Sequence, residues 1–203
     1  MIASIYLVRH GETAWSLSGQ HTSQTDIPLT ASGEQQARRL GRLLGAVRFD
    51  RVLVSPLQRA RRTCELAGLW VNARVEQRLS EWNYGDYEGR TPAEIHAQRP
   101  GWDVFRDGCP GGESTDDLSA RADALLASLL PLKGSVALFS HGHFLRALAA
   151  RWTGLPVSQG RHFCLDPGSL SILGLEHHDA GVPAVLLWNA RSNEVFDLTP
   201  HTP

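Results

Sequence analysis

The chain has 203 residues, of which 42% are hydrophobic and 20% charged, and its formal net charge is −1 at pH 7. This size and composition are those of one ordinary globular domain, so we expect residues 1–203 to form a single domain. The near-neutral charge excludes the strong positive field typical of nucleic-acid-binding proteins, and no apolar run reaches the about 20 residues of a membrane-spanning helix. We therefore expect neither a nucleic acid partner nor a membrane.

Cysteine usage and the N-terminus restrict the class of protein further. The three cysteines, Cys64, Cys109 and Cys164, are odd in number and widely spaced, and none belongs to a Cys-x-x-Cys pair. A disulfide framework or a cysteine zinc site is therefore not expected. The N-terminal apolar run is too short for a signal peptide core and leads directly into a polar motif, so we expect a cytoplasmic location.

The first predicted element is a buried strand from Ile2 to Val8. It leads into the motif Arg9-His10-Gly11-Glu12-Thr13. In parallel α/β sheets, ligands bind outside the carboxyl ends of the strands, where this cation and this imidazole lie. Gly11 leaves room for a phosphate-sized anion to approach the backbone. This strand end is therefore a candidate anion site.

A polar segment and a helix follow the first motif. Residues 14–29 are rich in Ser, Thr and Gln and are long for a structureless connection, which is typical of a functional loop. Thr30 is a good N-cap for the next helix, with Glu34 in its first turn. The predicted buried stripe of this helix comprises Ala37, Leu40, Leu44 and Val47.

The second strand, Val52 to Val54, also ends in a motif, which reads Ser55-Pro56-Leu57-Gln58-Arg59. Ser55 favours an N-cap and Pro56 favours the first helical position, so we expect a helix that begins at the strand end. This helix would place Arg59 near its first turn and run to about residue 68. A short strand is then predicted over residues 71–75.

Residues 78–113 are predicted to be the second irregular region, with one short helix over residues 93–98. Their glycine, proline and aromatic content indicates a lid or wall of a site rather than part of the core. The region carries three acidic side chains close together in the sequence, Glu81, Asp86 and Glu88.

The C-terminal half continues the alternation of helix and strand. Ser114 is the predicted N-cap of a helix that ends before Pro131 and buries Leu118, Ala122, Leu125, Leu129 and Leu130. A strand over residues 136–139 leads into Ser140-His141-Gly142-His143, and a further helix is expected to end near Gly154. The last two predicted strands cover residues 170–175 and 184–188.

Alternating strands and helices predict an α/β fold, a three-layer α/β/α sandwich with a mainly parallel central sheet. The carboxyl ends of parallel strands meet at one edge of a sheet. The three strand ends should therefore bring four side chains together at one rim: Arg9, His10, Arg59 and His141.

Four segments, in this order, resemble the histidine phosphatase superfamily in its phosphoglycerate-mutase-like branch. They are Arg9-His10-Gly11-Glu12-Thr13, Ser55-Pro56-Leu57-x-Arg59-Ala60-x-x-Thr63, the acid-bearing segment of residues 79–89, and Ser140-His141-Gly142-His143. The resemblance spans residues 2–152 and looks closest to bacterial acid phosphatases and fungal sedoheptulose-bisphosphatase-like enzymes.

The resemblance implies a role for each catalytic candidate. His10 is the nucleophile, since a neutral imidazole attacks phosphorus without first losing a proton. Arg9 and Arg59 hold phosphate oxygens in guanidinium forks, and a protonated His141 completes the cradle. Glu81 donates the proton to the departing alcohol. Three other carboxyls are its rivals: Glu88, Asp86 and Asp26.

Further residues resemble the family's substrate and phosphate contacts: Ser16, Thr22, Ser23, Tyr84 and His143. Each could equally be a side chain that stabilises a loop. The pair His141 and His143 also resembles a zinc-binding arm, but no second cluster at ligand spacing accompanies it, so no metal is expected. No cofactor is expected either. The sequence His177-His178-Asp179 is interpreted as a surface turn.

The resemblance also offers a way to decide whether the protein is a phosphatase or a mutase. The family's mutases carry a lysine and paired arginines after Tyr84 to grip a carboxylate, whereas residues 84–114 here contain no lysine and only scattered arginines. We therefore expect a metal-independent phosphatase that acts on a small phosphorylated metabolite, such as a sugar phosphate, through a phosphohistidine. Two alternatives stay open, a cofactor-dependent phosphoglycerate mutase and a non-catalytic phosphate-binding module. A homodimer is also left open.

Overall fold

The computed structural model describes residues 2–176 and 181–191. In these residues six strands form one sheet, in the order β3-β2-β4-β1-β5-β6. The strands are β1 (Ile2–Arg9), β2 (Phe49–Val54), β3 (Ala73–Val75), β4 (Gly134–Ser140), β5 (Ser169–Glu176) and β6 (Val182–Arg191). Pairings among β1 to β4 are parallel, and β5 pairs antiparallel with both β1 and β6. The prediction of a mainly parallel sheet is confirmed.

Helices cover both faces of this sheet. The α-helices of the described residues are α1 (Ala14–Ser18), α2 (Ala31–Leu44), α3 (Gln58–Leu66), α4 (Pro92–Gln98), α5 (Val104–Asp107), α6 (Thr115–Leu129) and α7 (Gly142–Trp152). Short 3-10 turns lie at Trp70–Asn72, Gln77–Leu79, Gly85–Tyr87 and Val157–His162. Side chains of α2 and α3 pack in one apolar cluster and those of α6 and α7 in another. The predicted α/β/α sandwich is confirmed.

The central strand β1 shows why its sequence is apolar at consecutive positions. Ile5 and Leu7 belong to the cluster under α6 and α7, whereas Tyr6 and Val8 belong to the cluster under α2 and α3. Successive side chains of a strand point to opposite faces, so a strand with both faces covered needs apolar residues at each position.

The position of β4 between β1 and β2 brings the motifs together. Arg9 pairs with Ser140 at the end of β1, and Val54 pairs with Phe139 near the end of β2. Because the three strands are parallel, the segments that follow them leave the sheet at the same edge. The expectation of one common rim is confirmed.

Two predicted helix starts are confirmed in detail. The Thr30 hydroxyl oxygen accepts a hydrogen bond from the Gly33 N–H at 3.0 Å, and the Ser114 hydroxyl oxygen accepts one from the Asp117 N–H at 3.1 Å. Each bond satisfies an N–H that has no partner within the helix.

The predicted start of the helix after β2 is wrong. Helix α3 begins at Gln58, and the Gln58 N–H donates at 2.8 Å to the carboxylate of Asp26, which lies 32 residues earlier. Ser55 lies before the helix, where its hydroxyl oxygen binds the ring of His141. A side chain distant in sequence therefore caps this helix. It also ends at Leu66, before the predicted residue 68, and the first residues of the predicted third strand form a 3-10 turn.

Other predictions also need correction. Residues 14–18 form a short helix rather than loop, because Thr13 and Ser16 form a capping box. Leu130 is exposed and Leu126 is buried in its place, while Val47 lies beyond α2 and is only half-buried.

The segment 78–113 contributes to the core, since it buries Trp82, Tyr84, Trp102 and Phe105 among others. His177, His178 and Asp179 lie outside the described residues.

No helix in the described part of the chain has the length and apolar character needed to cross a membrane.

Candidate active site

A cavity of about 210 Å³ lies at the rim formed by the strand ends. Seven of the predicted site residues line it: Arg9, His10, Ser16, Thr22, Glu81, Tyr84 and His143. Arg59 and His141 are not among the lining residues, but the ring of His141 lies 5.1 Å from that of His10, measured between centroids. Ser23 is also absent from the lining. The structure thus assembles most of the predicted site around one imidazole.

The ring of His10 is buried and held in one orientation. Its Nδ1–H donates to the Gly11 carbonyl at 2.7 Å, so Nε2 carries the free lone pair. Burial, followed by the positive charges of Arg59 and Arg9, keeps the pKa of His10 well below its usual value. The backbone is fixed on both sides, because His10 N–H donates to Ser140 and Gly168 N–H donates to His10. The result is a neutral imidazole with a defined nucleophilic nitrogen.

Arg9 reaches across the rim beneath the start of α7. Its guanidinium donates to the carbonyl of Leu165, while its buried Nε has no hydrogen-bond partner among the described residues. A Cβ at Gly142 would lie 3.2 Å from the guanidinium carbon, so the absence of a side chain there leaves room for the cation. Burial lowers the pKa of Arg9.

Arg59 is fully buried and ties three backbone carbonyls to the site. Its terminal nitrogens donate to the carbonyl oxygens of Thr22, Ser23 and Thr25 at 3.1–3.2 Å. Its Nε donates to His141 Nδ1 at 3.2 Å. Arg59 therefore holds the loop beside the cavity and places a positive charge behind it, and the expected guanidinium fork toward phosphate oxygens is not presented to the cavity in this structure.

The expected protonation of His141 is wrong. Its Nδ1 accepts from Arg59, so its hydrogen lies on Nε2, which donates to the Ser55 hydroxyl oxygen at 2.7 Å. Burial and the adjacent Arg59 charge hold the pKa of His141 well below its usual value. His141 is a neutral ring whose two nitrogens are both bound to protein groups in this structure.

Glu81 places its carboxylate at the N-terminus of α7. One oxygen accepts from the Trp82 and Phe144 N–H groups at 2.9 and 2.8 Å, and the other accepts from the His143 N–H at 3.0 Å. The first N–H groups of a helix lack partners within the helix, and an anion there also complements the helix dipole. The N-terminus of α7 therefore fixes this carboxylate at the cavity wall.

The rival acids do not line the cavity. The Glu88 carboxylate accepts from the Ser23 and Thr25 N–H groups, and Asp26 caps α3. Asp86 lies beside Gly111. Among the lining residues, Glu81 is the one carboxyl group.

Tyr84, His143 and His21 form an aromatic cluster at the cavity. The Tyr84 hydroxyl and His143 Nδ1 are 2.5 Å apart. Burial raises the pKa of Tyr84 well above its usual value and lowers that of His143, so both groups are uncharged. The His21 ring lies 4.6 Å from that of Tyr84, and burial lowers the pKa of His21 to about 4.

A family model described as histidine phosphatase superfamily (branch 1) matches residues 5–191. The chain belongs to this superfamily. It is 45% identical to an acid phosphatase of Mycobacterium tuberculosis over 85% of this chain and 87% of that protein. It is 32% identical to the sedoheptulose 1,7-bisphosphatase of Saccharomyces cerevisiae, over 89% and 90% of the two chains. It is also 37% identical to a probable phosphoglycerate mutase of Salmonella choleraesuis, over 82% of each.

A solved structure of a Mycobacterium tuberculosis protein superposes on this histidine phosphatase with a TM-score of 0.88. The two are 41% identical, and the match covers 94% of this chain and 98% of the other. The fold and the resemblance to the phosphoglycerate-mutase-like branch are thereby confirmed. The chain is a phosphoric monoester hydrolase.

Two ionisable residues of the histidine phosphatase site were not predicted from the sequence. Arg146 lines the cavity and lies three residues after His143 on α7, so both point to the same side. Its guanidinium lies 4.5 Å above the Phe105 ring and donates to the carbonyls of Gly160 and Arg161. The three-residue spacing from His143 on a predicted helix could have indicated Arg146. The sequence around His21 contains no pattern that marks it as a site residue rather than an ordinary loop residue.

The smaller predicted contacts have mainly local bonds. The Ser16 hydroxyl donates to the Thr13 carbonyl within the capping box of α1, and the Thr22 hydroxyl donates to the Gln20 carbonyl. The Ser23 hydroxyl is buried without a hydrogen-bond partner among the described residues. Contact of these three with substrate stays a prediction.

In residues 2–176 and 181–191, no group of three or more His, Cys, Asp or Glu side chains is arranged to hold a metal ion.

Proposed function

We propose that this histidine phosphatase hydrolyses small phosphomonoesters, sugar phosphates among them, without a metal and through a phosphoryl group carried on Nε2 of His10. The observation that carries the proposal is the state of His10, a neutral ring whose Nδ1 is occupied by Gly11 and which faces a cavity. The substrate class is supported by the yeast relative, whose name gives a sugar bisphosphate as its substrate.

In the first step, Nε2 of His10 attacks phosphorus and the ester P–O bond breaks. Arg9 at the cavity and the charge of the buried Arg59 behind it neutralise the nonbridging oxygens, which is most of what a loose phosphoryl-transfer transition state requires. Glu81, whose carboxylate accepts three backbone N–H bonds in this structure, must first bind a proton. It then gives this proton to the leaving alkoxide, and such a proton transfer contributes ~10²–10⁴-fold. The products of this step are the free alcohol, phosphohistidine and the Glu81 carboxylate.

In the second step, a water molecule attacks the phosphohistidine from the side that the alcohol has left. The Glu81 carboxylate takes a proton from this water, the N–P bond breaks and inorganic phosphate forms. His10 returns to its neutral state and Glu81 to its protonated state. The two arginines carry the charge neutralisation that a metal ion supplies in other phosphatases.

The size and lining of the cavity favour a small polar alcohol. Its volume, about 210 Å³, is below the about 300–1,000 Å³ that is typical of sites for drug-sized ligands. We assign the hydrogen between Tyr84 and His143 to the Tyr84 hydroxyl, so His143 presents an N–H from Nε2, and Arg146 adds a positive charge beside it. These donors suit the hydroxyl groups or a second anionic group of a phosphorylated sugar. A panel of phosphorylated metabolites tests this substrate class.

The central test combines turnover with trapping of the intermediate. We expect p-nitrophenyl phosphate hydrolysis to persist in EDTA and His10→Ala to lower kcat by about a thousandfold or more. His162→Ala, which changes an exposed histidine, should leave kcat unchanged. An acid-labile, base-stable phosphoprotein should accumulate in a rapid quench of the parent and not of His10→Ala. Hydrolysis by His10→Ala at the parent's rate would contradict the proposal, and so would complete loss of turnover in EDTA.

The mutase alternative is favoured by the Salmonella relative and needs its own test. Two arginines after Tyr84 are held at the surface: Arg90 donates to the carbonyl of Glu94, and Arg106 pairs with Asp107. None of the arginines between residues 84 and 114 lines the cavity. We expect 3-phosphoglycerate, supplied with catalytic 2,3-bisphosphoglycerate, to isomerise far more slowly than the best phosphomonoester is hydrolysed. Isomerisation at a comparable rate would make the protein a mutase.

A further inference from the structure

Arg121 lies on α6, outside the cavity lining, yet its guanidinium holds the segment that carries Glu81. One terminal nitrogen donates to the carbonyls of Arg78 and Ser80 at 2.9 and 2.7 Å. The other reaches the Glu81 carbonyl at 3.3 Å. Arg78 lies in the 3-10 turn Gln77–Leu79, and Ser80 and Glu81 follow this turn without belonging to a strand or helix, so these carbonyls need donors from elsewhere.

The opposite side of the same segment is held by Glu113, which pairs with Arg121. Nε and a terminal nitrogen of Arg121 donate to the two Glu113 carboxylate oxygens at 2.8 and 2.7 Å. The same carboxylate accepts from the Asn83 N–H at 2.8 Å, and the Glu113 carbonyl accepts from the Trp82 indole at 2.9 Å. Less than a quarter of either side chain of the pair is exposed, so solvent screens it less than a surface ion pair.

Arg121 also contacts the helix that receives the Glu81 carboxylate. Its guanidinium lies 4.5 Å above the Phe144 ring, and the N–H of Phe144 donates to Glu81 Oε1 at 2.8 Å. One side chain thus binds the backbone of the acid and packs on the first turn of α7. Loss of this contact frees the two groups to move relative to each other.

We propose that Arg121 is a positioning residue of the phosphatase reaction, which fixes Glu81 against the N-terminus of α7 for proton transfer to the leaving alcohol. The inference rests on the proposed role of Glu81 as the proton donor. A lysine at position 121 keeps the charge but offers one nitrogen, which cannot reach the carbonyls and both Glu113 oxygens together. A displacement of about 1 Å at a reacting group can cost about a hundredfold in rate.

The test compares two leaving groups, because only a poor leaving group needs the proton. We expect Arg121→Lys to lower kcat/KM for an alkyl phosphate, glycerol 1-phosphate, by about 10- to 100-fold. For 2,4-dinitrophenyl phosphate, whose phenolate leaves without protonation, kcat/KM should change by less than about threefold. Arg151→Lys is the matched control, since Arg151 is also a helix arginine bound to an acid, Asp123, and lies outside the cavity. It should change neither value.

Glu81→Gln separates the failure of this inference from that of the proposed mechanism. If Glu81→Gln shows the dependence on the leaving group and Arg121→Lys loses both activities equally, Arg121 has a structural role only and the inference is wrong. If Glu81→Gln shows no such dependence, the assignment of the acid fails and the role of Arg121 fails with it. Should Arg121→Lys not fold, Glu113→Gln loosens the same network, and the same pair of substrates decides.

Discussion

Two hydrogen bonds decide what the imidazoles of the cavity can do. The Gly11 carbonyl oxygen accepts a hydrogen bond from the Nδ1–H of His10, so the lone pair of His10 Nε2 stays free. The Tyr84 hydroxyl shares a hydrogen bond with His143 Nδ1, and in the proposed assignment the hydroxyl donates, so Nε2 of His143 carries a hydrogen. Both rings are neutral, yet in the proposed mechanism one is the nucleophile and the other a hydrogen-bond donor. A single oxygen beside each ring makes this difference.

Tyr84→Phe should therefore weaken substrate binding more than it slows the chemical step. Removal of the hydroxyl leaves His143 Nδ1 without a donor and allows the ring to change tautomer. We expect KM to rise about fivefold, equivalent to about 1 kcal/mol, with kcat changed less. Steady-state kinetics on the best phosphomonoester measure this.

Tyr87→Phe is the control for Tyr84→Phe. Tyr87 is a similarly buried tyrosine of the same segment, and it does not line the cavity. An equal rise in KM in both variants would show that the hydroxyl of Tyr84 has no specific role.

At the scale of residues, the sequence indicated which side chains are catalytic candidates, but it did not indicate their hydrogen-bond partners or protonation states. Arg9, His10 and His141 follow strands directly, so strand prediction alone brought them to one rim. The neutral state of His141 depends on Arg59 and Ser55, which lie more than 80 residues away in sequence. The carbonyls that Arg121 binds lie 40 to 43 residues away from it. Local sequence patterns hold no information about such partners.

At the scale of elements, the backbone of α2 and the backbone of the loop after β1 lie against each other at two glycines. A Cβ on Gly33 would lie 2.2 Å from the Glu12 carbonyl oxygen, and a Cβ on Gly11 would lie 2.3 Å from the Gly33 carbonyl oxygen. Contacts this short between backbone groups cannot be relieved by rotating a side chain. The first turn of α2 therefore determines where the loop that carries His10 can lie.

Gly33→Ala should push this loop away from α2. Overpacking of this kind costs about 1–3 kcal/mol of stability, and we expect kcat to fall as well because His10 is displaced. Thermal unfolding and p-nitrophenyl phosphate kinetics, measured on the same preparation, test the coupling.

Gly45→Ala is the matched control for Gly33→Ala. Gly45 ends the same helix with ordinary helical backbone angles, and a Cβ there would come no closer than 3.1 Å to a neighbouring atom. It should retain activity and stability. Full activity in Gly33→Ala would mean that the contact does not fix the loop.

Helices and strands were predicted correctly where the residues that determine them lie within or next to the element. The N-caps of α2 and α6 lie next to the helices that they start, and β1 and β4 are runs of apolar residues. The start of α3 was wrong because Asp26 caps it from another part of the chain. The core residues of segment 78–113 were missed because irregular backbone has no period that marks its buried side.

At the scale of the whole molecule, folding keeps four histidines uncharged. The pKa of each of His10, His21, His141 and His143 lies below its usual value, with burial as the largest cause. In the unfolded chain these rings bind protons near pH 6.5. Between that pH and the lower pKa values of the folded state, the unfolded chain binds more protons, so stability decreases as the pH falls.

The free energy of unfolding should therefore be lower at pH 5 than at pH 7.5. His21 alone, with a pKa of about 4, contributes up to about 3 kcal/mol to the difference across the full interval. Guanidinium denaturation at a series of pH values measures the slope. His21→Gln should flatten the slope, and His162→Gln, at an exposed position, should not. A free energy that is constant or rises toward pH 5 would contradict the prediction.

The bonds of Arg59 have a consequence for how this enzyme could acquire new substrates. The guanidinium donates hydrogen bonds to residues 22, 23 and 25 only at their backbone carbonyl oxygens, which every amino acid possesses. Evolution, or a designer, can therefore exchange the side chain of Thr22, which lines the cavity, while the loop path and the buried charge are kept. Selectivity can diversify at this position without rebuilding the chemistry.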